Sequence, residues 1–310
     1  MIELILKLVL FFLFSIAYFY SLTGYGKILA TKDSNYFDLQ LDGTIILLLL
    51  SYLIYITIGT NLTLNTIIII VGLILYIKYK VEFNSLKILY LILSFFLIFS
   101  VMVISKTHED FNTYHYFSIF EIFNNSLRIG ISNLNGRFFH SSLLTLNQSI
   151  IVLPYLNFKL IHLPIFSIYF CTVGYFVSVL FTKKLKKEEI YFSILCVVIL
   201  LVKFNRLSEY GYDYIAQFIL LIIFHKIYFL YSEDKQIIKA IIYFLLAIMI
   251  KPISLFFTPI MFFVLYKKKF NFYKNIPKSK YFLILLLSLT LLSSSFFKTG
   301  CLFYPLNSTC

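Results

Sequence analysis

The stretch IELILKLVLFFLFSIAYFYSLT (Ile2 to Thr23) decides the fold, because its 22 residues include only two charged side chains, Glu3 and Lys7. An α-helix needs about 20 mostly apolar residues to cross the hydrocarbon core of a bilayer. The run is too long for the apolar core of a signal peptide, and no small-residue cleavage site is obvious. We therefore interpret it as a membrane-spanning helix.

Similar apolar runs follow along all 310 residues, of which 60% are hydrophobic and 13% are charged, with a mean hydropathy of +0.90. An average soluble domain has about a quarter charged residues. Isolated strands cannot face lipid, and the alternating pattern of a membrane barrel is absent. The sequence predicts an all-α, polytopic membrane helical bundle with about ten transmembrane helices, in which residues 1–310 form a single bundle. The predicted spans are Ile2–Thr23, Thr44–Gly59, Thr63–Ile77, Leu86–Ser105, Leu160–Phe181, Ile190–Val202, Tyr214–Tyr231, Ile238–Ile250, Pro252–Tyr266 and Tyr281–Phe297.

The net charge of +13 comes from basic residues in short segments between the spans. This distribution predicts cytoplasmic loops at 78–80, 183–187 and 266–280, because lysine is enriched on that side. The three loops agree if the chain makes a helical hairpin near Lys251–Pro252. We therefore expect the basic loops to face the lipid bilayer, and we do not expect the protein to bind a nucleic acid. The loop 106–159, the loop 203–213 and the tail 298–310 are predicted to be external.

The long external loop, 106–159, opens with HEDFNTYHYF (His108 to Phe117), which holds two acids and two histidines. An amphipathic helix is predicted to follow and to end at Gly130, lying flat on the outer leaflet with its aromatic side toward lipid. A second short helix is predicted from near Ser141 to just before Pro154. The polar row of the first helix is Tyr114, Ser118, Glu121, Asn125 and Arg128, and the apolar row is Tyr116, Phe120, Phe123 and Leu127.

These external polar residues have the chemistry of a transferase. A carboxylate can take the proton of an acceptor hydroxyl, and arginine grips a phosphate with two parallel hydrogen bonds. Plainer readings stand beside this one. The arginines could contact lipid headgroups, the acids could be solvated at a helix start, and the histidines could be interfacial hydrogen-bonding residues.

The spacing Asp-x-x-x-Tyr-His, met by Asp110, Tyr114 and His115, resembles the GT-C superfamily of membrane glycosyltransferases. In many bacterial members the motif opens the first large external loop. GISNLNGRFFHSSL (130–143), GYDYIAQ (211–217) and GCLFYP (300–305) are similar to later segments of a group of large bacterial multi-pass proteins. Three predicted spans precede the one that leads into the loop, whereas the family usually begins with that span. The family commonly continues beyond the last of these segments, so the sequence is also compatible with a shortened member or a fragment.

The resemblance implies a glycosyltransferase of cell-envelope glycan synthesis in the bacterial cytoplasmic (inner) membrane. Its donor would be a sugar on polyprenyl phosphate or diphosphate, and its acceptor a glycan or a lipid. It implies that Asp110 is the catalytic carboxylate, as a base or as a ligand of a divalent metal. We expect His115 to orient Asp110 or the substrate. The expected substrate-binding residues are Tyr114, Glu109, Arg128, Asn135, Arg137 and Arg206.

Two other functions fit the same sequence. An O-antigen or polysaccharide polymerase also has many spans and one long external loop. A transporter or flippase of lipid-linked glycans needs polar groups near the middle of the bilayer, for which His225–Lys226 and Lys251–Pro252 are the candidates. In the predicted external tail, Cys301 and Cys310 are either a disulfide or two free thiols.

Overall fold

A computed structural model of the chain describes residues 2–30, 35–79, 109–133, 136, 138, 142–181, 185–207, 212–267, 277–302 and 307–310. Within these ranges the regular structure is helical and no strand occurs, so the predicted all-α class is confirmed. The α-helices are α1 (Ile2–Gly26), α2 (Tyr36–Thr57), α3 (Leu62–Lys78), α4 (Tyr116–Asn124), α5 (Leu144–Ile150), α6 (Leu163–Leu180), α7 (Lys187–Lys203), α8 (Tyr212–Tyr228), α9 (Asp234–Ile250), α10 (Thr258–Lys267) and α11 (Lys278–Thr299).

Four stretches of helix in the described residues are long and apolar enough to cross a membrane: Val9–Gly26, Tyr36–Thr57, Phe158–Leu180 and Lys278–Thr299. Two shorter apolar helical stretches are Leu62–Lys78 and Pro252–Lys267. These helices support a membrane protein, but the predicted number of about ten spans is not confirmed. The predicted span Leu86–Ser105 lies outside the described residues.

Helices α1, α2 and α3 approach one another backbone to backbone at small residues. A Cβ atom on Gly24 would lie 2.0 Å from the carbonyl oxygen of Gly72, and one on Gly43 would lie 1.9 Å from that of Leu22. Any side chain there would force the helices apart. Small residues give membrane helices this close contact, which compensates for the weak hydrophobic drive between them. The first three helices therefore form one tightly packed unit.

Helix α6 occupies the centre of the rest of the bundle. Every residue from Leu163 to Phe176 is buried, and the helix packs against α2, α7 and α8. A helix that is apolar and buried all round belongs in the interior. Helix α7, in contrast, buries only Ser193, Cys196 and Leu200, so it lies at the edge.

Helix α2 begins at Tyr36, eight residues before the predicted start at Thr44, and so includes Asp38 and Asp42. The side chain of Asn35 caps it by accepting a hydrogen bond of 2.7 Å from the backbone N–H of Asp38. The two acids made this turn look like a loop in the sequence. Lysine side chains from other helices pair with the two acids and allow them to be buried in α2.

The helix is interrupted near Lys251–Pro252, where the sequence predicts a helical hairpin; the break is present, and the hairpin stays a prediction. Helix α9 ends at Ile250, a 3-10 turn covers Pro252–Phe257, and α10 follows. The Ser254 hydroxyl donates to the carbonyl oxygen of Ala247 at 3.2 Å, so the turn folds back on the end of α9.

The second short helix of the long loop, α5, is enclosed by the rest of the protein, and its position relative to a membrane stays a prediction. All seven of its residues are buried. The Asn147 amide donates to the carbonyl oxygen of Thr44 at 3.2 Å, and its own oxygen accepts from the Ser51 hydroxyl at 3.0 Å. Thr44 lies 13 residues, or about 20 Å at 1.5 Å per residue, from the end of α2 at Thr57. Helix α5 therefore re-enters the bundle to about the middle of α2.

The predicted faces of the first loop helix are also partly wrong. In α4 the buried side chains are Ser118, Ile119 and Ile122, so Ser118 of the predicted polar row faces the bundle. Phe117 and Phe120 are exposed. The two predicted rows left out Ile119 and Ile122, which provide a second apolar face. One face packs on the protein, and an aromatic edge remains outside.

Candidate functional site

The Asp-x-x-x-Tyr-His segment forms a single turn of π-helix, Phe111–His115, directly before α4. A π turn is rare and often occurs at functional sites. Glu109 is exposed, Asp110 and Tyr114 are half-buried, and His115 is buried with 7% of its surface exposed. The turn therefore directs the histidine into the bundle and leaves the two acids nearer its surface.

Inside the bundle, His115 contacts one distant segment of the chain directly and is linked through it to a second. Its ring centroid lies 4.8 Å from that of Tyr212 at an interplanar angle of 77°. The Tyr212 hydroxyl donates to Gln148 Oε1 at 2.6 Å, and Gln148 Nε2 donates to the carbonyl oxygen of Ile161 at 2.9 Å. We call His115, Gln148 and Tyr212 the histidine cluster. It joins the π turn to the re-entrant helix α5 and to the start of α8.

Arg128 lies beyond α4 and is paired within its own segment. It forms an ion pair with Glu121, and its Nη2 donates to Asn125 Oδ1 at 2.6 Å. Its side chain is 49% exposed. The predicted polar row therefore does bring Glu121, Asn125 and Arg128 together.

Two backbone hydrogen bonds hold the segment after α4 against the bundle. The Leu127 N–H donates to the carbonyl oxygen of Tyr55 at 3.1 Å, and the Gly130 N–H donates to that of Phe297 at 2.7 Å. Gly130 has a φ of +74°, a left-handed conformation that glycine adopts without strain. The segment is thereby fixed between the ends of α2 and α11.

A small pocket lies between α2, α4, α5 and α11, and no residue of the histidine cluster lines it. Ser118, one turn beyond His115 on α4, lines it together with Tyr52, Tyr55, Ser294 and Lys298. The remaining lining side chains are apolar: Ile122, Leu127, Ile131, Phe138, Leu143, Leu146 and Phe297.

Several predicted site residues are not placed by the structure. Asn135 and Arg137 lie outside the described residues. Arg206 belongs to the 3-10 turn Phe204–Leu207, but its side chain is not described. In the described part of the chain, no group of three or more His, Cys, Asp and Glu side chains is placed to hold a metal ion. The predicted divalent metal stays a prediction.

Cys301 and Cys310 form a disulfide, which agrees with one of the two alternatives for the tail. Cys301 is buried, and its carbonyl oxygen accepts from the Ser295 hydroxyl at 2.8 Å. Gly300, with a φ of +79°, ends α11 directly before it. The short tail is thus closed against the end of α11.

A second polar cluster, which the sequence did not predict as a unit, lies among α2, α8 and α9. Lys226 Nζ lies 3.1 Å from Asp38 Oδ1, and Lys239 Nζ lies 3.2 Å from Asp38 Oδ2 and 3.7 Å from Asp42 Oδ2. The Tyr243 hydroxyl lies 3.1 Å from Asp38 Oδ1 and 3.2 Å from Asp42 Oδ1. The four charged residues are between 1% and 5% exposed. We call these five residues the charge cluster.

The charge cluster and the histidine cluster lie toward opposite ends of α8. Tyr212 is the first residue of that helix and Lys226 is close to its end, a separation of about 21 Å along the axis. The one signal for the charge cluster in the sequence is the i, i+4 spacing of Asp38 and Asp42, which puts both carboxylates on one helical face. Lys226 had been noted on its own, but its partner Asp38 is 188 residues away. No local pattern reports such a pairing.

No family model, no curated protein and no solved structure matches the chain.

Proposed function

We propose that the chain is a multi-pass membrane glycosyltransferase of cell-envelope glycan synthesis, with about ten spans in a bacterial cytoplasmic membrane. It takes its sugar from a polyprenyl-linked donor at the external face and transfers it to a glycan or lipid acceptor. The support comes from the long-range contacts of the histidine cluster. His115 of the Asp-x-x-x-Tyr-His motif touches Tyr212 of the GYDYIAQ segment, and Tyr212 bonds Gln148 of the re-entrant helix.

A further contact supports the same site. The Gly130 N–H, at the start of GISNLNGRFFHSSL, bonds the Phe297 carbonyl oxygen three residues before GCLFYP. Segments that resemble one family separately in the sequence are therefore neighbours in the fold. That is expected if they build one site.

The proposed reaction is a displacement at the anomeric carbon of the donor sugar. Asp110 takes the proton of the acceptor hydroxyl while the acceptor oxygen bonds to that carbon. The bond from the carbon to the polyprenyl phosphate oxygen breaks, and the phosphate leaves with the electron pair. Arg137 and Arg128 hold the phosphate charge, and His115 orients Asp110 or the acceptor.

The charge cluster favours a second candidate, a transporter or flippase of lipid-linked glycans. Ionisable side chains inside membrane helices are rare and commonly mark a transport pathway. Here four of them are buried together among α2, α8 and α9, and the short helix α5 is wholly buried beside α2. Transfer and transport differ in their product, since only transfer makes a new glycosidic bond.

The experiment that tests the first proposal is Asp110→Asn in purified protein reconstituted in vesicles with a polyprenyl-phosphate sugar donor. The change keeps the shape of the side chain and removes the base, so we expect transfer to fall about 10²- to 10⁴-fold. Glu188→Gln is the matched control and should change transfer far less, because Glu188 is exposed in the first turn of α7 and matches no motif position. Near-normal transfer by Asp110→Asn, in protein inserted at normal levels, would refute the role of Asp110.

A further inference from the structure

The amide of Gln148 is held at both ends in the interior of the protein. Gln148 is wholly buried, its Nε2 donates to the Ile161 carbonyl oxygen at 2.9 Å, and its Oε1 accepts from Tyr212 at 2.6 Å. The first bond fixes which end of the amide is the donor, since a carbonyl oxygen can only accept. The other end must then accept, and the Tyr212 hydroxyl is required to donate to it. The direction of the Tyr212 O–H bond is thereby determined.

The ring of Tyr212, held at its hydroxyl, packs against the ring of His115. The two rings are 4.8 Å apart and close to perpendicular, which is a favoured geometry for aromatic pairs. Both residues are buried, with 3% and 7% of their surfaces exposed. The histidine ring is therefore packed against a neighbour that cannot move aside without breaking its hydrogen bond to Gln148.

The base of this arrangement is itself rigid. Asn147, next to Gln148, is bonded to α2 through the Thr44 carbonyl oxygen and the Ser51 hydroxyl. Asn65 of α3 donates to the carbonyl oxygens of Ser149 and Val152 at 2.8 and 2.9 Å. Helix α5 is thus fixed from two sides. Precise sites depend on such support behind the residues that touch the substrate.

We propose that Tyr212 and Gln148 are positioning residues for the glycosyl transfer, a proposal that rests on the function proposed above. Neither residue touches the substrate. They hold the His115 ring in the one plane from which it orients Asp110 or the acceptor hydroxyl. The re-entrant helix is present in the bundle to supply Gln148 to this arrangement.

The test is Tyr212→Phe, which keeps the ring and removes the hydroxyl. We expect kcat for sugar transfer to fall about two- to tenfold, the effect of one net hydrogen bond, with KM unchanged. Gln148→Met should have the same effect. The double variant should be no slower than either single variant, because both changes break one shared arrangement.

Tyr169→Phe is the matched control. Tyr169 is equally buried, and its hydroxyl donates to the Leu200 carbonyl oxygen at 3.2 Å, away from the histidine cluster. Its loss should change thermal stability by as much as Tyr212→Phe does and leave kcat unchanged. Equal kcat values for the two variants would overturn the proposal.

A second readout does not depend on transfer. The rate of His115 modification by diethyl pyrocarbonate, followed by mass spectrometry of its peptide, should rise in Tyr212→Phe and not in Tyr169→Phe. An unchanged rate means that Tyr212 does not hold the ring, and the proposal fails. If the wild-type protein transfers no polyprenyl-linked sugar while the modification rates still differ, the proposed function is wrong and the control of His115 by Tyr212 stands.

Discussion

The charge cluster and the histidine cluster are two solutions to the problem of polar groups in an apolar bundle. In the charge cluster, two carboxylates face two ammonium groups, and the tyrosine hydroxyl bridges the carboxylates. Its charges balance internally. In the histidine cluster, neutral groups bond in sequence from Ile161 to Tyr212, and the charged side chains lie nearer the surface, as at Glu109 and Asp110.

In the charge cluster, the free-energy cost of burying charges is offset within the protein. In the histidine cluster, the buried polar groups are proposed to orient a residue toward the substrate. A balanced set of buried charges is strongly destabilising only when one member is removed. Removal of one neutral group from the histidine cluster should destabilise the protein less, but it should release the orientation of His115. We therefore expect stability to depend more on the first cluster and activity on the second.

The largest expected effect is all-or-none and concerns the sides of the membrane. The proposed topology puts the two clusters at opposite faces. Asn112→Cys, beside the π turn, should react with a membrane-impermeant maleimide added to intact cells, and Glu233→Cys, between α8 and α9, should react only after the cells are opened. The native Cys171 and Cys196 are buried. Labelling of position 233 alone from outside would invert the topology and leave the proposed site without its donor.

Within the charge cluster, Asp38→Asn should destabilise the protein by about 3–5 kcal/mol, because Lys226 and Lys239 lose the carboxylate between them. Unfolding in mixed detergent micelles measures the change. Asp213→Asn is the control, since Asp213 pairs with Lys251 at 2.8 Å but is 50% exposed, and exposed pairs contribute about 1 kcal/mol at most. An equal loss of unfolding free energy in the two variants would show that the buried charge cluster contributes no more to stability than an exposed ion pair.

Support of the histidine cluster is tested by Asn147→Leu. The change removes both hydrogen bonds between the buried Asn147 amide and α2, to the Thr44 carbonyl oxygen and from the Ser51 hydroxyl. Each net hydrogen bond contributes about 0.5–1.5 kcal/mol, and the Ser51 hydroxyl keeps its bond to the Leu47 carbonyl oxygen. Asn124→Leu, on the exposed side of α4, should remain within about 0.5 kcal/mol. The same unfolding measurement compares them. If Asn147→Leu is neutral, α5 is not anchored at this residue.

The smallest expected effect is at the arginines. Arg137→Lys keeps the charge and loses the two-pronged grip, so KM for the lipid-linked donor should rise about tenfold with little change in kcat. Arg128→Lys should raise KM less, because Arg128 is already paired with Glu121 and Asn125. Donor titrations at fixed acceptor concentration give both constants. An equal rise for the two variants would remove the distinction between them.

The sequence predicts well whatever depends on local apolar composition. The helical class and the break at Lys251–Pro252 follow from hydropathy and from proline, and both are present. The predicted span begins at Thr44, whereas α2 begins at Tyr36 and includes Asp38 and Asp42. Their burial depends on Lys226 and Lys239, which come from helices far along the chain.

The position of α5 also depends on residues that are far away in the sequence. Its polar residues Asn147 and Gln148 indicate an exposed helix when only the sequence is considered. Their partners are Thr44, Ser51 and Tyr212, on helices that precede and follow it. Hydropathy separates apolar from polar residues, but it does not distinguish lipid from protein interior. The Asp110 motif was found because it is short and local, whereas the histidine cluster requires the fold.

The divided partners of α5 set an order for biogenesis. As the chain leaves the ribosome, α1 to α3 can pack first, since their glycine contacts involve no later residue. Asn147 then finds its partners already in place. Gln148 must wait for Tyr212, which is synthesised 64 residues later. Helix α5 therefore completes its hydrogen bonds only after α8 has been made, and until then Gln148 Oε1 lacks the Tyr212 hydroxyl.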